Sequence, residues 1–194
     1  MASQFGAVQL AHAFLAENVK AGDICIDCTA GRGNDTAFLC ELVGETGKVI
    51  AFDIQPAAVE STRELLEKRG FANGEVHLES HHRIDEYAEE GTVAAIVFNF
   101  GWLPGGDHTI NTKRNTSIEA IEKGLRLLKP DGVMSLSIYY GRDTGTEERD
   151  AILEYLERLP VNEYTALVSR FVNRPNCPPM ICPKESSCPL VEKT

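Results

Sequence analysis

Short apolar runs rich in β-branched residues alternate with amphipathic segments along almost the whole chain, and this alternation constrains the fold most strongly. The pattern predicts strands at 23–29, 48–54, 75–80, 92–100 and 132–140. It predicts helices at 5–19, 31–44 after a turn, 56–70, 83–90, 116–128 and 145–158. Strands that alternate with helices at this spacing form a mostly parallel sheet with helices on both faces.

The end of the chain departs from this alternation. Two further strands are predicted at 163–173 and 180–184, and only a short Pro-containing segment separates them. A parallel crossover needs a dozen or more residues, so these strands must form an antiparallel hairpin. We therefore expect an α/β fold with a seven-stranded, mostly parallel sheet and a C-terminal antiparallel hairpin, in a single domain over 1–194.

Composition is average for a globular protein, with 43% hydrophobic and 25% charged residues. No stretch reaches the roughly 18 apolar residues that a membrane helix needs, and no basic region precedes an apolar run at the N-terminus. We expect a cytoplasmic protein that does not span a membrane. The net charge of −10 excludes a wholly basic nucleic-acid-binding face. A nucleic acid would have to meet a local basic patch.

The segment from Asp27 to Thr36 follows the first strand, where ligands bind in open α/β sheets. Its glycines, Gly31 and Gly33, allow close backbone approach to a ligand. Asp53 ends the second strand, where an acid can accept both ribose hydroxyls of a nucleoside. A dinucleotide-binding turn would carry a third glycine at position 36, which is threonine here. S-adenosylmethionine, a nucleoside cofactor without phosphates, fits this pattern better than NAD.

A second interpretation of this segment is a glycine turn with a helix-capping Asn34 or Asp35. If the turn holds the cofactor, a side chain at Gly33 is expected to occupy the space of its methionine moiety. The predicted cofactor-binding residues are Asp27, Thr29, Gly31, Gly33, Asn34, Asp35, Thr36, Asp53, Ile54, Gln55, Ser80, His81 and Asn99.

Aromatic and proline residues follow the fourth strand. Phe100, Trp102 and Pro104 are expected to form a wall on which a flat substrate could stack. Asn99, just before them, could orient a substrate amine through its carbonyl oxygen. The alternative is a tight turn with Trp102 in the core.

The cysteines do not indicate a metal site. Cys25 and Cys28 lie in one strand at an odd offset, so their side chains should point to opposite faces of the sheet. Cys177, Cys182 and Cys188 have no histidine nearby to complete a zinc site. We expect no metal.

The positions of the histidines in the chain predict different roles for them. His81 and His82 end the third strand, and one of them is expected to contact the cofactor rather than form a metal pair. His12 lies on the apolar stripe of the first helix and is expected to be a packed core histidine. His77 alternates with apolar neighbours and is expected to face solvent.

Several segments together resemble one family over nearly the whole chain: DCTAGRGNDTAFLCELVGETGKVIAFDIQ, SHHRIDEY, FNFGWLPGGDH, YYGRDTG and FVNRPNCPP. It is the MnmM (YtqB-like) family of class I methyltransferases that act on the tRNA wobble uridine. The resemblance implies a Rossmann-like class I methyltransferase sheet and S-adenosylmethionine as methyl donor. It also implies the tRNA anticodon loop as partner and N-methylation of 5-aminomethyl-2-thiouridine. Trp102 stands where a smaller aromatic residue is expected.

An alkylamine is mostly protonated at neutral pH, so the site must favour the neutral amine and accept its proton. Asn99 is the candidate for orienting the amine, and Asp107, His108 and Tyr140 are unranked candidates for proton acceptors or substrate contacts. The predicted substrate-binding residues are Phe100, Trp102, Pro104, His108, Lys113, Arg114, Arg142 and Arg174. The proposed basic patch consists of Arg32, Lys113, Arg114, Arg142 and Arg174. The alternative is that these residues are ordinary solvated charges.

Other functions stay open at this point. They are a methyltransferase acting on a small molecule or on rRNA, an NAD-dependent oxidoreductase, and a non-catalytic RNA-binding module. The oligomeric state is also open, and a homodimer is among the choices.

Overall fold

The computed structural model describes residues 6–100, 114–138, 146–169, 171 and 179–183. The helices are α1 (Ala7–Asn18), α2 (Asn34–Val43), α3 (Pro56–Arg69), α4 (Arg114–Leu127) and α5 (Thr146–Glu157), with a 3-10 helix at His81–Glu86. The strands are β1 (Ile24–Asp27), β2 (Lys48–Asp53), β3 (Gly74–Leu78), β4 (Val93–Phe100), β5 (Leu128–Ile138), β6 (Leu167–Val168) and β7 (Pro179–Pro183).

All seven strands form one sheet in the order β3-β2-β1-β4-β5-β7-β6. Strands β1 to β5 are parallel, whereas β7 is antiparallel to both β5 and β6. The predicted sheet and its terminal hairpin are therefore confirmed. The strand order reverses between β1 and β4, which are neighbours. Open α/β sheets bind ligands at the carboxyl ends of the strands at such a reversal.

The core has two parts, one on each face of the sheet. On one face α1, α2 and α3 bury Leu15, Leu39 and Val59. On the other face α4 and α5 bury Ile121 and Ile152. The helices thus cover both faces, as the alternating pattern predicted.

The two cysteines near β1 fall on opposite sides of this layered core. Cys25 packs in the part that contains α1 to α3, and Cys28 packs in the other part. The predicted divergence of their side chains is confirmed. Both thiols are free and buried.

Local capping chemistry sets several boundaries. Helix α2 ends before Gly44, and α3 ends before Gly70, which adopts a positive φ of 73°. Pro56 occupies the first turn of α3, where its missing N–H costs no hydrogen bond. These boundaries match the predicted ones closely because the signals lie in neighbouring residues.

Three expectations about local structure are wrong. The helix expected at 83–90 is a 3-10 helix over His81–Glu86. Among the described residues of the strand expected at 163–173, only Leu167–Val168 form a strand, and both side chains are exposed. His77 does not simply face solvent, because its ring packs 4.6 Å from that of Tyr87.

Within the described ranges, no helix combines the length and apolar character needed to cross a bilayer.

Candidate active site

The turn after β1 is tied to the end of β2 through Asp53. The Gly31 N–H donates to Asp53 Oδ2 at 2.9 Å, and the Gln55 N–H donates to Oδ1 at 2.9 Å. Each carboxylate oxygen can accept a further hydrogen bond, so Asp53 retains acceptors for two ribose hydroxyls. Ile54 is 46% exposed beside it and offers an apolar surface for a nucleobase. These residues fit the adenosine part of S-adenosylmethionine.

The two glycines of the turn have left-handed backbones, with φ of 55° at Gly31 and 80° at Gly33. A Cβ at Gly33 would lie 3.0 Å from Thr62 Cα and 3.1 Å from its Cγ2. The space beside Gly33 is therefore filled by α3, which corrects the expectation that a side chain there would meet the methionine moiety. Thr62 also donates to the Gly31 carbonyl at 3.3 Å. Sequence patterns did not indicate this supporting role of Thr62.

Asp27 and Thr36 support the turn from within the protein. Thr36 Oγ1 donates to Asp27 Oδ2 at 2.6 Å, and the Thr29 N–H donates to Oδ1 at 3.1 Å. Neither Asp27 nor Thr36 has exposed surface. The predicted direct contact of these two residues with a cofactor is thus wrong: they hold the turn that would make the contact.

Three carboxylates converge around this turn. Burial raises the pKa of Asp27 to about 7, and the charges of Asp35 and Asp53 add to the shift. A cationic ligand relieves such mutual repulsion, whereas an anionic pyrophosphate would increase it. The electrostatics therefore favour a cofactor with a sulfonium and an ammonium group over a dinucleotide.

Side chains from α1, α2 and β4 meet at the carboxyl end of β4. Asp35 Oδ2 accepts a 2.6 Å hydrogen bond from Asn99 Nδ2, and its Oδ1 lies 2.5 Å from His12 Nε2. The Asn99 N–H donates to Thr29 Oγ1 at 2.7 Å. Thr29, Asp35 and Asn99 were predicted site residues, and the structure brings them together.

His12 is a site residue that the sequence analysis missed. The periodicity of α1 predicted a core histidine, but its side chain is 25% exposed and pairs with Asp35. Its ring stacks on Phe38 with centroids 3.8 Å apart. The partner lies 23 residues away along the chain, so only the tertiary fold reveals the contact.

Asn34 and Asp35 do not cap α2, since its N-cap is Gly33 and no side chain caps it. The capping interpretation of this segment is therefore wrong. Asp35 instead binds side chains from two other elements, and Asn34 is exposed at the turn.

His81 is the first residue of the 3-10 helix, and burial lowers its pKa to about 4 and so keeps the imidazole neutral. Its Nε2 has no partner among the described atoms. His82 Nδ1 and Ser80 Oγ are hydrogen-bonded at 2.8 Å. The His81 ring packs against Phe98 and Phe100 in the core, and its contact with the cofactor stays a prediction.

Phe100 does not belong to an exposed aromatic wall. It is fully buried, and its ring stacks on Phe98 with centroids 5.1 Å apart. The edge of His81 faces both rings. The predicted contact of Phe100 with a substrate is replaced by core packing.

The remaining predicted substrate and catalytic residues lie outside the described residues: Trp102, Pro104, Asp107, His108, Lys113, Tyr140, Arg142 and Arg174. Arg114 is the first residue of α4, but its side chain also lies outside the part of the chain that the structure describes. Arg32 is exposed in the turn. Among the described side chains, no group of three or more His, Cys, Asp or Glu residues is placed to hold a metal ion.

Comparison with known proteins identifies the family of this chain. The sequence model of the family described as "Putative rRNA methylase" matches residues 49–185. The chloroplastic tRNA (mnm(5)s(2)U34)-methyltransferase of Arabidopsis thaliana is 34% identical over 188 residues, which cover 90% of this chain and 68% of that protein.

Two solved structures are similar over nearly their whole length. A Clostridium thermocellum protein of the same description has 37% identity and a TM-score of 0.88, with 93% of this chain and 97% of that chain covered. A Streptococcus mutans protein, described as a methyltransferase and solved in complex with SAH, has 34% identity and a TM-score of 0.83, with 92% and 98% covered. The chain therefore belongs to the rRNA methylase family and is an S-adenosylmethionine-dependent methyltransferase.

Proposed function

We propose that this enzyme methylates the amine of 5-aminomethyl-2-thiouridine at the wobble position of tRNA, forming 5-methylaminomethyl-2-thiouridine. The observation that carries the proposal is the fixed amide of Asn99 at the end of β4. One N–H of its NH₂ group donates to Asp35, which directs Oδ1 away from Asp35 as an acceptor for an N–H of the substrate. The name of the Arabidopsis thaliana relative supports this choice of substrate.

The cofactor would be held by residues of the β1 turn and the β2 end. Asp53 would accept the ribose hydroxyls, Ile54 would contact the adenine, and the backbone of Gly31 and Gly33 would line the methionine part. Gln55, Asn34 and Ser80 are further proposed contacts near this region. When bound, S-adenosylmethionine supplies an electrophilic methyl group on a positively charged sulfur.

The protein's task in the reaction is to present a neutral amine in the correct direction. Asn99 Oδ1 would accept one amine hydrogen and so direct the nitrogen lone pair toward the methyl group. The nitrogen–carbon bond forms as the carbon–sulfur bond breaks, and the nitrogen then loses a proton. We propose Asp107, His108 or Tyr140, directly or through water, as the acceptor of that proton.

Substrate recognition would combine a local positive patch with aromatic stacking. Arg32, Lys113, Arg114, Arg142 and Arg174 would contact phosphates, and Trp102 with Pro104 would wall in the wobble base. Such a patch reconciles RNA binding with the net charge of −10.

A single domain over 1–194 and a cytoplasmic location remain predictions.

The proposal is tested with purified protein, S-adenosylmethionine and an anticodon stem-loop that carries 5-aminomethyl-2-thiouridine at the wobble position. Nucleoside mass spectrometry should detect one added methyl group on that nucleoside. The matched control is the same stem-loop with 2-thiouridine, which lacks the amine and should gain none. Methylation of rRNA or of the control, with none on the amine-bearing RNA, would contradict the proposal.

A further inference from the structure

We propose that His12 is a positioning residue for methyl transfer, which holds Asp35 in the rotamer that orients the amide of Asn99. This inference rests on the proposed function, because it assigns Asn99 the task of orienting the amine. The three side chains come from three different elements, α1, α2 and β4.

Hydrogen-bonding chemistry determines the direction of the Asn99 amide. The two oxygens of Asp35 serve different donors, with His12 at 2.5 Å on one and Asn99 at 2.6 Å on the other. A carboxylate only accepts, so Asn99 must present its NH₂ group to Asp35 and direct Oδ1 away from it. An Asn99 amide that turned over would offer hydrogens to the amine instead of an acceptor.

The surroundings of His12 favour a fixed pair over a mobile surface contact. The ring lies flat on Phe38, with an angle of 3° between the planes, and Phe38 belongs to the same helix as Asp35. The exposed fractions of the His12 and Asp35 side chains are only 25% and 16%. Water therefore competes weakly for this hydrogen bond.

Docking of α1 does not by itself require a histidine at position 12. The helix already buries Ala7, Ala11 and Leu15 against the sheet. Another aromatic ring could pack on Phe38 in the same way, but the histidine also supplies the donor that Asp35 accepts. This difference separates a positioning role from a purely structural one.

Two variants of the full chain test the proposal. His12→Phe keeps an aromatic ring on Phe38 but removes the donor, whereas His12→Gln keeps an N–H donor. Because hydrogen bonds to charged groups are strong, we expect His12→Phe to lower kcat about ten- to a hundredfold on the amine-bearing stem-loop. The RNA KM and the SAH affinity should change less than about threefold. His12→Gln should recover most of kcat.

His77→Phe is the matched control, since the His77 ring packs on Phe52 and Tyr87, neither of which is a proposed site residue. It should leave kcat unchanged. Wild-type kcat in His12→Phe would overturn the proposal. So would equal losses of kcat in His12→Phe and His12→Gln together with equal losses of melting temperature, because that result indicates a structural role.

The side-chain NH₂ signals of Asn99 provide a readout without RNA. In the wild-type protein NMR should show them protected from exchange, and His12→Phe should remove that protection. Unchanged Asn99 signals in His12→Phe would overturn the positioning role whatever the substrate is. An inactive wild-type enzyme with the expected Asn99 signals would instead contradict the proposed function alone.

Discussion

The hydroxyl of Thr36 donates a 2.6 Å hydrogen bond to the carboxylate of Asp27, and both side chains are completely buried. Position 36 is where a dinucleotide-binding turn carries its third glycine, which permits close packing of the helix on the strand. In this chain the Thr36 hydroxyl instead holds the Asp27 carboxyl group beneath the turn. Threonine in place of glycine therefore keeps a carboxyl group near the ligand, which suits a cationic cofactor.

Asp27→Asn should alter the dependence of stability on pH. Burial raises the pKa of Asp27 from 3.8 to about 7, so its contribution to stability is fully present below the unfolded pKa and is lost as pH rises through 7. The stability of Asp27→Asn relative to wild type should therefore rise with pH between about 4 and 7, by at most about 1.4 kcal/mol per pH unit. Urea denaturation across this range measures the difference; parallel curves for the two proteins would contradict the prediction.

His81→Gln should show the opposite trend. Burial lowers the pKa of His81 from 6.5 to about 4, so stability is lost as pH falls from 6.5 toward 4. Relative to wild type, His81→Gln should become more stable as pH falls through that range. The same denaturation series gives the result, and a gain that grows with rising pH would be the wrong sign.

Gly33→Ala should destabilise the protein more than Gly70→Ala. Both glycines have positive φ, 80° and 73°, so both substitutions carry the left-handed backbone cost of about 1–2 kcal/mol. Only at Gly33 would the new Cβ also press on Thr62, at 3.0 Å, whereas no atom lies within 4 Å at Gly70. Thermal denaturation should show the larger loss in Gly33→Ala. Equal losses would show that the contact with α3 relaxes at no cost.

Asp53→Ala should weaken binding of SAH. Loss of two acceptors for ribose hydroxyls should cost roughly 1–3 kcal/mol, or up to about a hundredfold in affinity. Isothermal titration calorimetry measures the change, and Glu75→Ala, which removes an exposed carboxylate of β3, is the control. Wild-type affinity in a folded Asp53→Ala protein would remove Asp53 from the cofactor site.

Trp102→Ala should raise the RNA KM more than it lowers kcat, because base stacking contributes about 1–3 kcal/mol per base. Trp102→Phe should retain much of the affinity. Steady-state kinetics on the anticodon stem-loop, together with melting temperatures, separate this role from core packing. A destabilised Trp102→Ala enzyme with a normal KM would place Trp102 in the core.

Features specified by neighbouring residues could be predicted from the sequence. Gly44, Pro56 and Gly70 set helix boundaries through local backbone chemistry, and Asp53 is the last residue of a buried strand. Contacts that depend on tertiary packing could not be predicted. The apolar periodicity of α1 predicts a core position for His12, because it does not indicate the polar partner Asp35 on α2.

Sequence patterns also mispredict burial where a residue has fewer or more neighbours in the fold than its position in the chain indicates. Leu167 and Val168 form a strand at the sheet edge with both side chains exposed, so their sequence carries no clear alternation of buried and exposed positions. Phe100 stands at the end of β4, where an exposed ring is plausible, yet Phe98 and His81 enclose it. Neither the exposure of Leu167 and Val168 nor the burial of Phe100 can be predicted from the residues next to them in the chain.

The sheet order also determines when the fold can be completed during synthesis. Strand β7 follows β6 along the chain but lies between β5 and β6 in the sheet. While the ribosome is still adding residues 179–183, the nascent protein presents an unpaired edge of β5, the kind of edge that other chains can pair with. A pause in translation just before this segment would therefore prolong the interval in which the β5 edge is open to pairing with other chains.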